Sequence, residues 1–156
     1  MDGGGLLRRR QDDHRGGAGL STLDEIVRIV LEHYPASQAI YLFGTHGTAD
    51  EWPASDVDIA ILLPPEESRG QGQLMLTPCH YALEDALGKS VDLLNAREVS
   101  TVFQKEIVGS GRRLYATDDG AADEFEMLTL SHYQKLNDER QAILEAFRET
   151  GRAYAV

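Results

Sequence analysis

The sequence predicts an α/β domain, of the α+β kind, with about four short strands flanked by helices and a long C-terminal helix. Three observations predict it. Apolar runs rich in β-branched residues, such as "QAIYLFG", "DVDIAILL" and "SVDLLNA", alternate with stretches of helical periodicity. Glycine and proline punctuate the joins, at Gly44, Pro64-Pro65 and Gly88. The tail from Ala121 to about Thr150 carries an apolar stripe through Phe125, Leu128, Leu136, Ile143 and Phe147 on an otherwise charged helical pattern.

The leader "MDGGGLLRRRQDDHRGGAG" has no apolar periodicity and reads as a flexible arm over residues 1–20. Thr22-x-x-Glu25 has the form of a capping box, and Leu23, Ile26, Val27, Val30 and Tyr34 follow at helical spacing, so a first helix is expected to about His33. Strands follow at "QAIYLFG" and "DVDIAILL". The polar, glycine-rich "PPEESRGQGQ" reads as a loop. Thr77-Pro78 places an N-cap before a proline at the first helical position, and Gly88 ends that helix. After the strand "SVDLLNA", the stretch "REVSTVFQKEIVGSG" predicts a helix with Val99, Val102, Phe103 and Ile107 inward, and "RRLYA" a short edge strand. Residues 21–118 then form the domain, and 119–156 a helical extension that packs on it or on a partner.

With 156 residues, the chain has room for one domain with a proper core. The balance of 26 acidic against 15 basic residues, a net charge of −11, opposes direct nucleic-acid binding. No apolar run approaches the length of a membrane span, and no apolar signal segment opens the sequence. The single Cys79 forms no internal disulfide, so the expectation is a cytoplasmic protein. Histidines 14, 33, 46, 80 and 132 show no zinc-ligand spacing.

The chemistry gathers in "YLFGTHGTADEWPASDVDIAIL". Asp56 and Asp58 stand at the mouth of an apolar strand, on one side of it and about 7 Å apart at Cα. Like charges so close raise each other's pKa unless a cation lies between them. Asp92, inside "SVDLLNA", joins them if the strands are neighbours. Three carboxylates suit hard cations, above all a pair of Mg²⁺ ions that hold the attacking and leaving oxygens of a displacement at phosphorus. Upstream, Gly44 allows close approach of phosphate to the backbone, and the Thr45 hydroxyl offers a hydrogen bond. Ser55 either caps the turn or reaches phosphate.

Gly44-Thr45, ten residues, then Asp56-Val57-Asp58 resembles the G-[S/T]-x10-D-x-D signature of the DNA polymerase β-like nucleotidyltransferase superfamily, and Asp92 matches its third carboxylate. The order "LGKSVDLLNAREV" is similar to the stand-alone minimal nucleotidyltransferases, and the tail to those that act as antitoxins of HEPN-domain ribonuclease toxins. Thr45 keeps the hydroxyl where serine is common, whereas Thr48 and Ala49 replace the family's usual Arg-Gly. The resemblance implies a mixed sheet, Mg-ATP as donor, Asp56, Asp58 and Asp92 as catalytic metal ligands, and transfer of AMP to a tyrosine of the toxin. A non-catalytic antitoxin and an enzyme acting on a small-molecule hydroxyl are the rival readings. The tail stripe also leaves room for a homo-oligomer.

Overall fold

A computed structural model describes residues 18–44 and 56–150. The predicted arm, Thr45 and Ser55 therefore lie outside the described residues, apart from residues 18–20, which open the first helix.

Helix α1 (Ala18–His33) buries Ile26, Ile29 and Val30 and leaves Arg28 outside, paired with Glu25 and Glu32. It starts a turn earlier than the capping box suggested, so Thr22 lies inside it. Strand β1 (Ala39–Phe43) is buried at every position, and β2 (Val57–Leu62) at all but Asp58.

The expected loop after β2 is corrected: residues Pro65–Gln71 form a short helix, α2. Proline at its first turn needs no hydrogen bond there, Glu66 and Glu67 favour the helix N-terminus, and the buried Ser68 hydroxyl donates to Asn95 Oδ1 at 2.7 Å. That tertiary anchor overrides a glycine-rich composition. Helix α3 (Pro78–Leu87) follows as predicted, with the Thr77 hydroxyl accepting from the His80 amide at 3.3 Å and Gly88 closing it in the left-handed conformation.

Strand β3 (Val91–Asn95) pairs parallel with β2, while β1 lies antiparallel to β2 and to β4 (Arg112–Ala116). The order β3-β2-β1-β4 leaves β3 and β4 at the edges of a mixed sheet. A parallel pair needs a long crossover, and α2 and α3 provide it.

Helix α4 (Thr101–Ser110) is phased by its N-cap Ser100, whose hydroxyl accepts from the Phe103 amide at 3.3 Å. This phase turns Gln104, Ile107 and Val108 toward the sheet and leaves Val102 and Phe103 about half exposed, so the predicted inward positions hold only in part. Helix α5 (Asp119–Thr150) is 32 residues long, yet its buried residues, Ala122, Phe125 and Thr129, all lie in its first third. Leu128, Ile143 and Phe147 from the predicted stripe are exposed.

The core has two layers. On one face of the sheet Ile40, Leu42, Ile59, Ile61 and Leu93 pack against α1 and α3. On the other, Tyr41, Phe43, Ala60, Leu62 and Ala96 pack against α4 and α5. Tyr41 anchors the second layer, its hydroxyl donating to Glu126 at 2.8 Å while Arg113 of β4 grips the same carboxylate at 2.6 Å. Burial and the Glu126 bond together push the Tyr41 pKa far up.

Candidate active site

Parallel strands begin at the same end of a sheet, and an antiparallel neighbour finishes there. This alone brings the predicted residues together. Asp58 and Asp92, each second in its strand region, are direct register partners across the β2–β3 pair, and Phe43, the last residue of β1, is opposite Asp58 on the other side. Residues directly opposite in register share one face, so both carboxylates emerge on the side covered by α4 and α5. Asp56 lies just outside β2 and is exposed, as Asp92 is, whereas Asp58 is half-buried.

The electrostatics follow from that packing. Burial first, then a hydrogen bond shared with Asp92, then the charges of Asp92 and Asp56, push the Asp58 carboxyl up from 3.8 to about 6. Without a cation the Asp58 carboxyl therefore keeps its proton to a higher pH than an ordinary aspartate. The donor set is all oxygen, open to solvent on two members, and relieved of repulsion by any hard cation placed among them, so it fits Mg²⁺. The described residues do not close the three carboxylates into a ready-made cage of metal ligands.

Gly44 has a role that the sequence did not reveal. Its φ of +80° favours glycine, and a Cβ built there would collide with the Asp58 carboxylate. The turn presses its bare backbone against the aspartate, so Gly44 shapes the carboxylate's position as well as the approach to it. Thr45 and Ser55, predicted to hold nucleotide, fall outside the described residues.

Sequence reasoning missed the supports of β3. Buried His80 accepts the Leu76 amide at Nδ1, 3.2 Å, which assigns the proton to Nε2, 2.8 Å from the Val91 carbonyl. Glu84 accepts the Val91 amide at 3.0 Å. Asn95 at the far end donates to the Ser68 and Gly72 carbonyls at 3.0 and 2.8 Å. Arg97 beyond it donates to the Leu63 carbonyl and to Gln38 Oε1, both at 2.6 Å, so the distal end of the sheet is tied as well. Only the helix pattern around Thr77 hinted at any of this. Cys79 is buried, its thiol pushed up to about 12 by burial, which suits a core residue and not a nucleophile.

Paired carboxylates at the mouth of a parallel strand pair, with a glycine turn pressed on one of them, define the class: this is a nucleotidyltransferase. The chain belongs to the family described as "Polymerase beta, Nucleotidyltransferase", whose sequence profile matches residues 25–120. It is 34% identical over 124 residues to the protein adenylyltransferase MntA of Shewanella oneidensis, covering 78% of this chain and 84% of that one. A putative protein adenylyltransferase of Methanocaldococcus jannaschii is 30% identical over 84 residues, 54% of this chain and 84% of its own. Among solved structures, a toxin–antitoxin crystal structure with AMP-PNP matches at 30% identity and a TM-score of 0.63, over 81% of this chain and 98% of that chain. A tri-AMPylated Shewanella oneidensis HEPN toxin in complex with MNT antitoxin matches at 29% identity and a TM-score of 0.61, over 83% and 98%.

Proposed function

We propose that this protein transfers AMP from ATP to a hydroxyl, a tyrosine's, on a partner HEPN ribonuclease toxin and so acts as its antitoxin. The observation that carries the reading is the register of Asp58 on Asp92 beside the Gly44 turn. The AMP-PNP complex and the AMPylated toxin among its structural relatives support the donor and the acceptor class.

In the step itself, the acceptor oxygen bonds to the α-phosphorus of ATP. The bond from that phosphorus to the β-bridging oxygen breaks, and pyrophosphate leaves with the electron pair. Asp56, Asp58 and Asp92 would hold Mg²⁺, which neutralises the developing charge on the phosphate oxygens when bound. The Gly44-Thr45 turn orients the triphosphate, with the Thr45 and Ser55 hydroxyls as donors to phosphate. Asp92, the exposed member of the facing pair, takes the acceptor proton on its carboxylate. No covalent enzyme intermediate is required, since phosphoryl-type transfer depends mainly on positioning and electrostatics.

No helix among the described residues is long and apolar enough to cross a membrane. A cytoplasmic setting, where ATP is at hand, goes with the proposed reaction. The exposed end of α5 is the element offered to the partner. The test is incubation of the purified chain and its HEPN partner with Mg-ATP, followed by mass spectrometry of the partner. A mass increase of AMP on a tyrosine, lost in Asp92→Asn, is expected. A toxin silenced without modification, equally by the variant, would make the protein a masking antitoxin. Transfer to small hydroxyl compounds in place of the toxin would make it a small-molecule enzyme.

A further inference from the structure

One face of α5 closes a small pocket at the far end of β3 from Asp92. Phe125, Leu128, Thr129 and His132 recur three and four residues apart, so they share one side of the helix. With Arg97, two residues beyond β3, and Gln104 of α4, they line a cavity of about 160 Å³. Phe125 and Thr129 are buried, whereas Leu128 and His132 are exposed, which puts the last two at its mouth.

Two polar groups of this lining are unspent. Thr129 is 2% exposed, and its hydroxyl makes no hydrogen bond among the described residues, not even the common return bond to the helix carbonyl four residues back. A hydroxyl buried in this way costs stability and gives none back within the chain. Arg97 spends Nε on the Leu63 carbonyl and Nη2 on Gln38 Oε1, each at 2.6 Å, which leaves Nη1 without a partner among the described residues. Burial is the largest influence on the Arg97 pKa and lowers it, while the charge of Glu124 raises it from beyond ion-pairing distance. An anion beside the guanidinium would relieve that desolvation. None of the residues lining the pocket is acidic, although the chain carries 26 acidic side chains. Gln104 holds its wall in place by donating to the Ala96 carbonyl at 2.9 Å.

We propose that this pocket anchors a glutamate side chain of the HEPN partner. The inference rests on the antitoxin reading and names a contact by which that partner is held. Size excludes a nucleotide, since sites for drug-sized ligands run from about 300 to 1,000 Å³. A single side chain fits, and the lining selects which. Phe125 and Leu128 take the methylene stem of glutamate, one carboxylate oxygen accepts from Arg97 Nη1, and the other accepts from the Thr129 hydroxyl. These charge-assisted bonds replace the hydration that the carboxylate gives up. A lysine or arginine would meet the like charge of Arg97, and an apolar side chain would leave both unspent groups unpaired. The occupant comes from the partner because Leu128, at the mouth, is also the first of the exposed apolar residues that continue along α5 through Ile143 and Phe147. The anchor thus stands at the head of the surface already offered to the partner.

Surface plasmon resonance of the full chain against its purified HEPN partner tests the anchor. Thr129→Val keeps the side-chain shape and loses no hydrogen bond within the chain, so its melting temperature should be no lower than that of the wild type. The complex, in contrast, should dissociate about tenfold faster, the scale of one lost hydrogen bond. Thr129→Ser, which returns the hydroxyl, should dissociate more slowly than Thr129→Val. Each glutamate of the partner is then changed in turn to glutamine. One such variant is expected to bind the wild-type chain more weakly, yet to lose little more against Thr129→Val, the non-additivity of two groups in contact. Unchanged dissociation in Thr129→Val, or additive effects for every glutamate, would overturn the anchor. A complex that shows the coupling but yields no AMP on the partner, by mass spectrometry after incubation with Mg-ATP, would support the anchor and sink the transfer chemistry. Failure of the wild-type chain to bind the partner at all would remove both the anchor and the antitoxin reading.

Discussion

At the scale of single residues, Asp58 carries the sharpest consequence. Its folded-state pKa is raised from 3.8 to about 6, so the folded protein prefers the protonated carboxyl. That contribution is complete below the unfolded value of 3.8 and is lost as pH rises through about 6. Asp58→Asn fixes the neutral form. In divalent-free buffer its urea midpoint should exceed that of the wild type at neutral pH and converge with it in acid, while AMP transfer is abolished throughout. A variant no more stable than the wild type at neutral pH would show that the carboxylates do not strain the apo site. Thr45→Val is expected to weaken ATP binding by about 1 kcal/mol by calorimetry, the scale of one hydrogen bond to phosphate. That Asp58 and Asp92 would meet was legible because a carboxylate inside an apolar strand has few explanations. The reason for Gly44 was not, since its contact with Asp58 comes from a strand pairing that no local pattern encodes.

At the scale of elements, legibility followed whether the signal was local. Helix α3 announces itself through Thr77-Pro78 and Gly88, because caps act within one turn. Helix α2 does not: a seven-residue segment ending in "RGQ" has weak propensity, and its stability comes from Ser68, which reaches Asn95 at 2.7 Å and Glu98 at 3.1 Å, far along the chain. Ser68→Ala should therefore destabilise the fold by about 2 kcal/mol, leaving the Asn95 side-chain oxygen buried without its donor, whereas a true loop serine would tolerate the change. Chemical denaturation measures this directly. The inward face of α4 was misjudged for a related reason. Apolar residues at Val102 and Phe103 suggested a core stripe, but the Ser100 cap and the bond from Gln104 to the Ala96 carbonyl set the rotation. Two apolar side chains were left outside.

At the scale of the whole molecule, the sheet, its two core layers and the first third of α5 make a self-sufficient unit, and the remainder of α5 stands apart from it. Among the described residues, every buried residue of that helix lies at or before Thr129, and Lys105 stands over the Tyr133 ring, 5.3 Å from its centroid. Beyond it Ile143, Leu144 and Phe147 are exposed on a helix that continues to Thr150. Composition revealed the stripe but not what covers it, because an apolar face on a helix looks the same whether it meets its own core or a partner's. Among the described residues, ending the chain after Asn137 removes none that is buried, so the melting temperature and Mg-ATP affinity should stay within error of the full chain. Binding to the HEPN partner should weaken, mostly through faster dissociation, as expected when apolar contacts are lost. The net charge of −11 acts separately, on encounter: a basic RNA-binding face on the partner would be steered toward this chain, so the association rate should fall as salt rises, equally in the full and shortened proteins. Surface plasmon resonance across a salt series separates the two effects. Unchanged dissociation after truncation would move the interface off α5 and onto the body of the domain.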